Sequence, residues 1–308
     1  MIGGGTFSTF RRVAQATLTN QIARYAPALY VQLTGQTGRG AEEVHLDIVG
    51  DYFQKCFDEY FERLGIEKPE QSDFLQGKRI LEYGPGDVPG VAMLMVAHGA
   101  DQVVCVDRFP LVRLSPKNVE IVRLMLERLP DVQRTRAEAC FRQSGNPRSG
   151  FDAKHIEYLV RPSGLSGFKD EIDLVISRAV LEHVNDLPAS FRDMYAALKP
   201  GGVAIHLVDL KSHGLHRNNP LDFLNWPGWL WSMMYSAKGV PNRLRVDAYR
   251  QAVAQTGFDL LEIKPTLVAS SEDIRNVRPH LAEAFKNLSD EDLSCLGFWL
   301  VCRKPAVQ

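Results

Sequence analysis

Cysteine is scarce in this 308-residue sequence: Cys56, Cys105, Cys140, Cys295 and Cys302, with no C-x-x-C pair and no Cys/His ligand spacing. An odd, scattered set argues against a disulfide framework or a zinc module and points to reduced thiols in a cytoplasmic protein. An excess of one charge is also missing. Lys+Arg 36 against Asp+Glu 37 leaves a net charge of -1, so the chain as a whole has no field for gripping a polyanion and nucleic-acid binding is disfavoured. No apolar run approaches the roughly 18–20 residues of a membrane span. Glycine (24) and proline (17) are too few for a collagenous or low-complexity chain, and 45% hydrophobic residues exclude disorder as the main state. No secretory signal opens the sequence. Residues 1–40 have no acid but carry Arg11, Arg12, Arg24 and Arg39, which fits a basic amphipathic helix of the fold, with a transit peptide as the alternative.

What is present is ordered along the chain. Residues 9–30, and more clearly 47–64 (Ile48, Tyr52, Phe53, Cys56, Phe57, Tyr60, Phe61, Leu64), repeat apolar side chains at helical spacing. They predict an N-terminal helical cap over residues 1–70, linked through Gly65 to Gly77. From Lys78, strands at 79–83, 102–107, 156–160, 172–177 and 203–210 alternate with helices at 88–98, 118–129 and 187–198. Residues 130–150 are weakly patterned, as in a loop or helix end. A helix at 246–256 stops at Gly257-Phe258, and strands at 260–268 and 296–303 flank a helical stretch near 282–288. This alternation predicts a doubly wound α/β domain over residues 71–308, its parallel sheet covered by helices on both faces, with a lid inserted at about 211–256.

The most informative stretch is Ile80-Leu81-Glu82-Tyr83-Gly84-Pro85-Gly86-Asp87-Val88-Pro89-Gly90, followed one strand later by Val103-Val104-Cys105-Val106-Asp107. Glycines between a strand and a helix let the backbone approach a ligand, and an acid ending the next strand can accept both ribose hydroxyls. The spacing is G-x-G-x-x-x-G, and Glu82 and Asp87 flank the turn. Acids there repel a pyrophosphate but tolerate a sulfonium and an ammonium.

These residues resemble the class I S-adenosylmethionine (SAM)-dependent methyltransferases. The resemblance rests on the E-x-G-x-G motif Glu82-Tyr83-Gly84-Pro85-Gly86, on Asp107, on the stretch from Asp173 to Val184, and on the turn Leu198-Lys199-Pro200-Gly201-Gly202. It covers about residues 78–210, and Gly257-Phe258 with the two late strands matches the family's ending. It implies a Rossmann-like, seven-stranded, mostly parallel sheet with an antiparallel final hairpin, and SAM lying across the carboxyl ends of the first strands. By that resemblance Glu82, Gly84, Gly86 and Gly90, with Pro85 among them, line the methionine side. Asp107 holds the ribose, Arg108 and Phe109 flank the adenine, and Ser177 and Arg178 border the methyl group. Many relatives carry an acid after the third strand. Here Glu157 either substitutes for it or is a solvated strand residue.

Methyl transfer is an in-line displacement at sulfur, and a hydroxyl acceptor also needs its proton removed by a side chain or a metal. His206, Asp209, His213 and His216 begin in the fifth strand and run past its end. Strand alternation turns His206 away from Asp209, leaving Asp209 and His213 as the acceptor end, with His213 or His216 as general base and His183 as a competitor. No metal is expected, although Asp209, His213 and His216 offer ligand chemistry. Residues 211–250 hold six basic residues against two acids, together with Trp226, Trp229 and Trp231. This basic, aromatic lid could cover a ring-shaped acceptor bearing an anionic group, lie weakly on a membrane surface, or pack on the N-terminal cap. Arg243 and Arg245 are candidates to clamp a carboxylate or phosphate. Trp226, Trp229 and His216 complete the expected acceptor contacts. The expected activity is O-methylation of a small-molecule or sugar acceptor in a biosynthetic pathway. The alternatives are N-methylation, or a SAM-binding sensor without catalysis.

Overall fold

The computed structural model describes residues 3–34 and 46–306, and all structural statements below concern these residues; Arg39 lies outside them. The chain opens with α1 (Gly3–Tyr25), α2 (Pro27–Thr34), α3 (Leu46–Leu64) and the short α4 (Gln71–Leu75). There follow β1 (Arg79–Tyr83), α5 (Gly90–Ala97), β2 (Gln102–Asp107), α6 (Pro116–Arg128), α7 (Asp131–Glu138), β3 (Ile156–Val160) and β4 (Ile172–Arg178). Next come α8 (Leu187–Ala197), β5 (Leu198–Asp209), α9 (Gly228–Tyr235) and α10 (Val246–Thr256). The chain ends with β6 (Asp259–Val268), α11 (Ser271–Val277), α12 (Asp290–Ser294) and β7 (Cys295–Arg303).

The seven strands form one sheet in the order β3-β2-β1-β4-β5-β7-β6. The first five are parallel, and β7 runs antiparallel between β5 and β6. This is the Rossmann-like doubly wound sheet with the final hairpin. Residue chemistry accounts for the ends of its helices. Ser115 and Asp186 cap α6 and α8 by accepting the N–H groups of Asn118 and Ala189, and Gly257 ends α10 at φ 86°, where a side chain would be strained. The exposed edge strand β6 carries Lys264 and Pro265, which discourages further strand pairing.

Two expected elements differ. The weakly patterned stretch after residue 130 contains α7, a polar helix burying only Ala137, so it lacks an apolar period. Near 282–288 there is only the 3-10 turn Glu283–Phe285. The helix lies earlier, at α11, where Ser270 and Asp273 form a capping box.

One face of the sheet is covered by α5, buried along its whole length; α3 and α7 pack against it, and α6 packs against α3. A Cβ on Gly90 would lie 2.4 Å from the Phe53 ring, so this glycine sets the close approach of α5 to α3. The other face buries Phe191, Met194, Tyr249 and Val253 of α8 and α10. A third cluster joins Phe223, Leu224, Trp231 and Met234 of the 211–256 segment to Ala16 of α1 and Ile274 of α11. Asn20 of α1 latches this junction, donating to the Met233 carbonyl at 3.0 Å and accepting the Ala237 N–H at 2.8 Å. The basic, aromatic segment thus packs on the N-terminal helices. Among the described residues, no helix is long and apolar enough to cross a membrane.

Candidate active site

Strand register gathers the functional residues. Tyr83, the last residue of β1, aligns with Val106 and Ser177, so Asp107 and Arg178 each stand one step beyond it. Arg178 in turn aligns with Leu207, two residues before Asp209. The carboxyl ends of four strands therefore open onto one cavity of about 710 Å³. Thr34 and Tyr52 wall it from the N-terminal helices, and Lys238 and Gly239 from the segment after β5.

On one side lies the glycine turn. Gly84 (φ 65°) and Gly86 (φ 74°) both line the cavity in conformations that favour glycine. Asp107 sits beyond them. Burial pushes its carboxyl up to about 6, against the backbone N–H groups of Phe109 (2.9 Å from Oδ1) and Arg108, which favour the carboxylate. The loop after β2 is pinned by Tyr158 of β3, whose hydroxyl donates to the Phe109 carbonyl at 2.7 Å and accepts the Leu111 N–H at 3.1 Å. Phe109 packs against Tyr30 of α2, their ring centroids 6.4 Å apart. Arg108 reaches the His183 carbonyl at 3.3 Å.

Most of the remaining residues expected around the cofactor lie behind this wall. Glu82 is buried beside the Cys105 thiol at 3.6 Å and the Ala92 N–H in the first turn of α5; burial pushes its carboxyl up to about 7. It braces the turn from below. Gly90 faces Phe53, and Pro85 is buried without lining the cavity. Ser177 Oγ lies 2.7 Å from His206 Nδ1 inside the fold, where burial pushes the imidazole down to about 3 and holds it neutral. Arg178 does line the cavity, paired with Glu59 of α3. Glu157 does not reach it.

On the other side Asp209, His213 and His183 meet. His213 Nε2 lies 3.9 Å from Asp209 Oδ2, which also pairs with Lys211 Nζ at 3.0 Å. His213 holds φ 50°, a left-handed conformation uncommon for a side-chain-bearing residue. The His183 and His213 rings stand nearly perpendicular, 5.0 Å apart. Burial pushes both imidazoles down, His183 to about 4 with His213 adding to the effect, so both are neutral near pH 7.

The expected acceptor contacts fare differently. His216 is exposed and bonded to Ser212. Trp229 is 70% exposed, and Trp226 packs near Arg12; neither lines the cavity. Arg243 and Arg245 are buried within the fold. Arg243 donates to the Trp226 carbonyl at 2.6 Å under the Trp231 ring. Arg245 donates to the carbonyls of Leu210, Leu293 and Cys295. The hydrogen bonds they make go to backbone carbonyls and neither lines the cavity, so they are not an anion clamp there.

Sequence reasoning passed over three residues. Lys238 lines the cavity at 6% exposure. Burial pushes its ammonium down to about 8; the Tyr235 ring lies 5.1 Å away, and among the described residues no carboxylate pairs with it. Asn242 donates to the carbonyls of Leu181 and Val184 at 3.0 and 3.1 Å, clamping the turn that carries Glu182 and His183. Glu182 itself is buried at the cavity's edge. A lone lysine and an Asn after a proline carry little pattern, whereas Glu182-His183 was visible as a motif.

The chain matches the methyltransferase-domain family over residues 51–263. Among solved structures it is similar to a SAM-dependent methyltransferase from Mesorhizobium loti, with 19% identity over 76% of this chain and 96% of that one and a TM-score of 0.40. It is also similar to phosphoethanolamine N-methyltransferase 2 of Haemonchus contortus, solved with SAM: 17% identity over 77% of this chain and 52% of that one, TM-score 0.43. This chain thus spans about half of the latter protein. No curated protein matches.

Proposed function

We propose, for a chain that belongs to the methyltransferase-domain family and is a SAM-dependent methyltransferase, that the acceptor is a small molecule bearing a hydroxyl and an anionic group. Supporting this reading is one arrangement: the glycine turn with Asp107, and the Asp209, His213 and His183 group, face the same cavity. In the sheet order β2 and β5 are separated by β1 and β4, three spacings of roughly 4.8 Å, or about 14 Å. SAM with its ribose at Asp107 therefore points its sulfonium toward the strands whose ends carry the two histidines. The cavity volume lies within the roughly 300–1,000 Å³ of small-molecule sites.

The protein's work is alignment and proton handling. The acceptor oxygen forms the new bond to the methyl carbon, the C–S electron pair returns to sulfur, and the hydroxyl proton leaves. His213 and His183, both neutral, stand where that proton departs. Lys238, a buried cation with no counter-ion among the described residues, supports an acceptor with a carboxylate or phosphate. The N-terminal helices and the 211–256 segment supply the walls that choose the acceptor.

The test is transfer of labelled methyl from SAM to a panel of phenols, sugars and hydroxy acids, matched with amines. O-methylated products from anionic acceptors support the reading. Turnover of amines alone replaces it with N-methylation, and SAM binding with no turnover on any acceptor replaces it with a sensor.

A further inference from the structure

The turn after β4 leaves an unresolved polar account. Glu182 has a side chain 1% exposed, and neither carboxylate oxygen has a hydrogen-bond partner at bonding geometry. The backbone N–H groups of Glu182 and Asp209 face it and only partly offset its burial. A buried carboxylate left in this state costs several kcal/mol if ionised, so it is either protonated or awaits a cation. Its neighbours are suited to the second. Glu182 Oε1 lies 3.8 Å from His183 Nε2, and ligand atoms of Glu182, His183 and His213 all lie within 4.8 Å of one another.

We propose that Glu182, His183 and His213 form a binding site for one divalent first-row transition cation, of the class of Zn²⁺ or Mn²⁺, at the acceptor side of the cavity. Two imidazoles and one carboxylate are the donor set such ions take, with positions left open for water or substrate. Tetrahedral ligands about 2.1 Å from a cation stand roughly 3.4 Å apart. Glu182 and His183 are already near that, and His213, its side chain 34% exposed, lies on the loop between Lys211 and Gly214 and has room to move in. The set differs from the Asp209, His213 and His216 combination suggested by sequence. His216 is turned toward Ser212, and Asp209 is engaged by Lys211, which leaves Asp209 to orient His213.

The site itself does not depend on the acceptor, but its catalytic role rests on the methyl-transfer reading. A cation there would coordinate the acceptor oxygen and lower its pKa. Imidazole nitrogens that hold the cation cannot also accept a proton, so with the cation bound the hydroxyl proton would pass to water in place of His213 or His183, before the oxygen attacks the methyl carbon and the C–S pair returns to sulfur.

The test begins with chelator-treated full-length protein titrated with CoCl₂, then with ZnCl₂. One Co²⁺ per chain is expected, with visible d–d absorption that Zn²⁺ displaces. Glu182→Gln, His183→Ala and His213→Ala should each weaken Co²⁺ affinity by at least about 100-fold, beyond the 10–100-fold loss typical of outer-shell changes. His280→Ala, an exposed control, should leave it unchanged. Glu182→Gln preserves side-chain volume, and far-UV circular dichroism with melting temperature checks that each variant is folded. Absence of a stoichiometric spectrum overturns the site, as does binding undiminished in the three variants or equally weakened in His280→Ala. Co²⁺ binding as described without turnover of any acceptor upholds the site and removes the O-methylation reading. Turnover that survives chelation, with no Co²⁺ spectrum, does the reverse.

Discussion

Gly84 stands so close to Val180 that a Cβ added to it would lie 2.4 Å from Val180 Cγ2, joining the turn after β1 to the loop after β4. At φ 65° an alanine would be strained even in open space. Gly84→Ala is therefore expected to lose about 1–3 kcal/mol of stability and to weaken SAM binding at least tenfold as the turn moves. Calorimetric SAM titration and thermal melts check both. Adding Val180→Ala should recover part of the loss, because it removes the clash and leaves the backbone strain. Unchanged SAM affinity in Gly84→Ala would detach this turn from the cofactor.

Asp107 is expected to set the pH dependence of SAM binding. Its carboxyl is held at about 6 in the free protein, and ribose hydroxyls donate to the carboxylate, not to the acid. Binding thus lowers the pKa and releases a proton. Affinity is full above pH 6 and falls as pH drops through 6, by up to about tenfold per unit. Arg108, Tyr158 and Cys105 also face this carboxyl, and none of them titrates in that window. Titrations from pH 5 to 8 should show the fall in the wild type and a flatter, weaker profile in Asp107→Asn. A parallel slope in the variant would move the effect to Glu82, whose carboxyl is held at about 7 nearby.

Lys238 should distinguish acceptors by charge. A charge-assisted hydrogen bond in a buried site contributes about 1.5–3 kcal/mol, so Lys238→Met should raise KM for an anionic acceptor by at least tenfold at pH 7 and spare its neutral analogue. Because burial holds the ammonium at about 8, wild-type KM for the anionic acceptor should also rise above that pH. Steady-state kinetics on a matched pair of acceptors measures this. Equal changes for both members would make Lys238 a wall without charge recognition.

How far the sequence was legible follows from how local each signal is. The glycine turn and Asp107 were readable because backbone conformation and strand ends impose residue types at short spacing. Asp209 and His213 were readable because β5 carries them to the carboxyl edge. Glu82 and Gly90 belonged to the same motif but turned inward, and no spacing distinguishes a glycine that lines the cavity from one that meets Phe53. Arg243 and Arg245 were misleading for a related reason: a charge pattern does not reveal that Leu210 and Cys295 present carbonyls to it. Lys238 became visible only once the 211–256 segment had packed on α1 and buried it.

Arg245 gives the sharpest separation of a structural role from a binding one. Its guanidinium, 2% exposed, donates to the Leu210 carbonyl after β5 and the Cys295 carbonyl opening β7, with Leu293 of α12 between them. Arg245→Met removes the donors and keeps the stem, leaving buried carbonyls unpaired at about 1–3 kcal/mol each. The melting temperature should therefore fall sharply while KM for SAM and acceptor, measured well below it, stays within about twofold. Arg245→Lys should recover only part of the loss, because one ammonium cannot span three carbonyls as a planar fork does. An anion clamp would give the opposite pattern, with the melting temperature held and acceptor KM raised, and thermal melts set beside kinetics on the same samples decide between them.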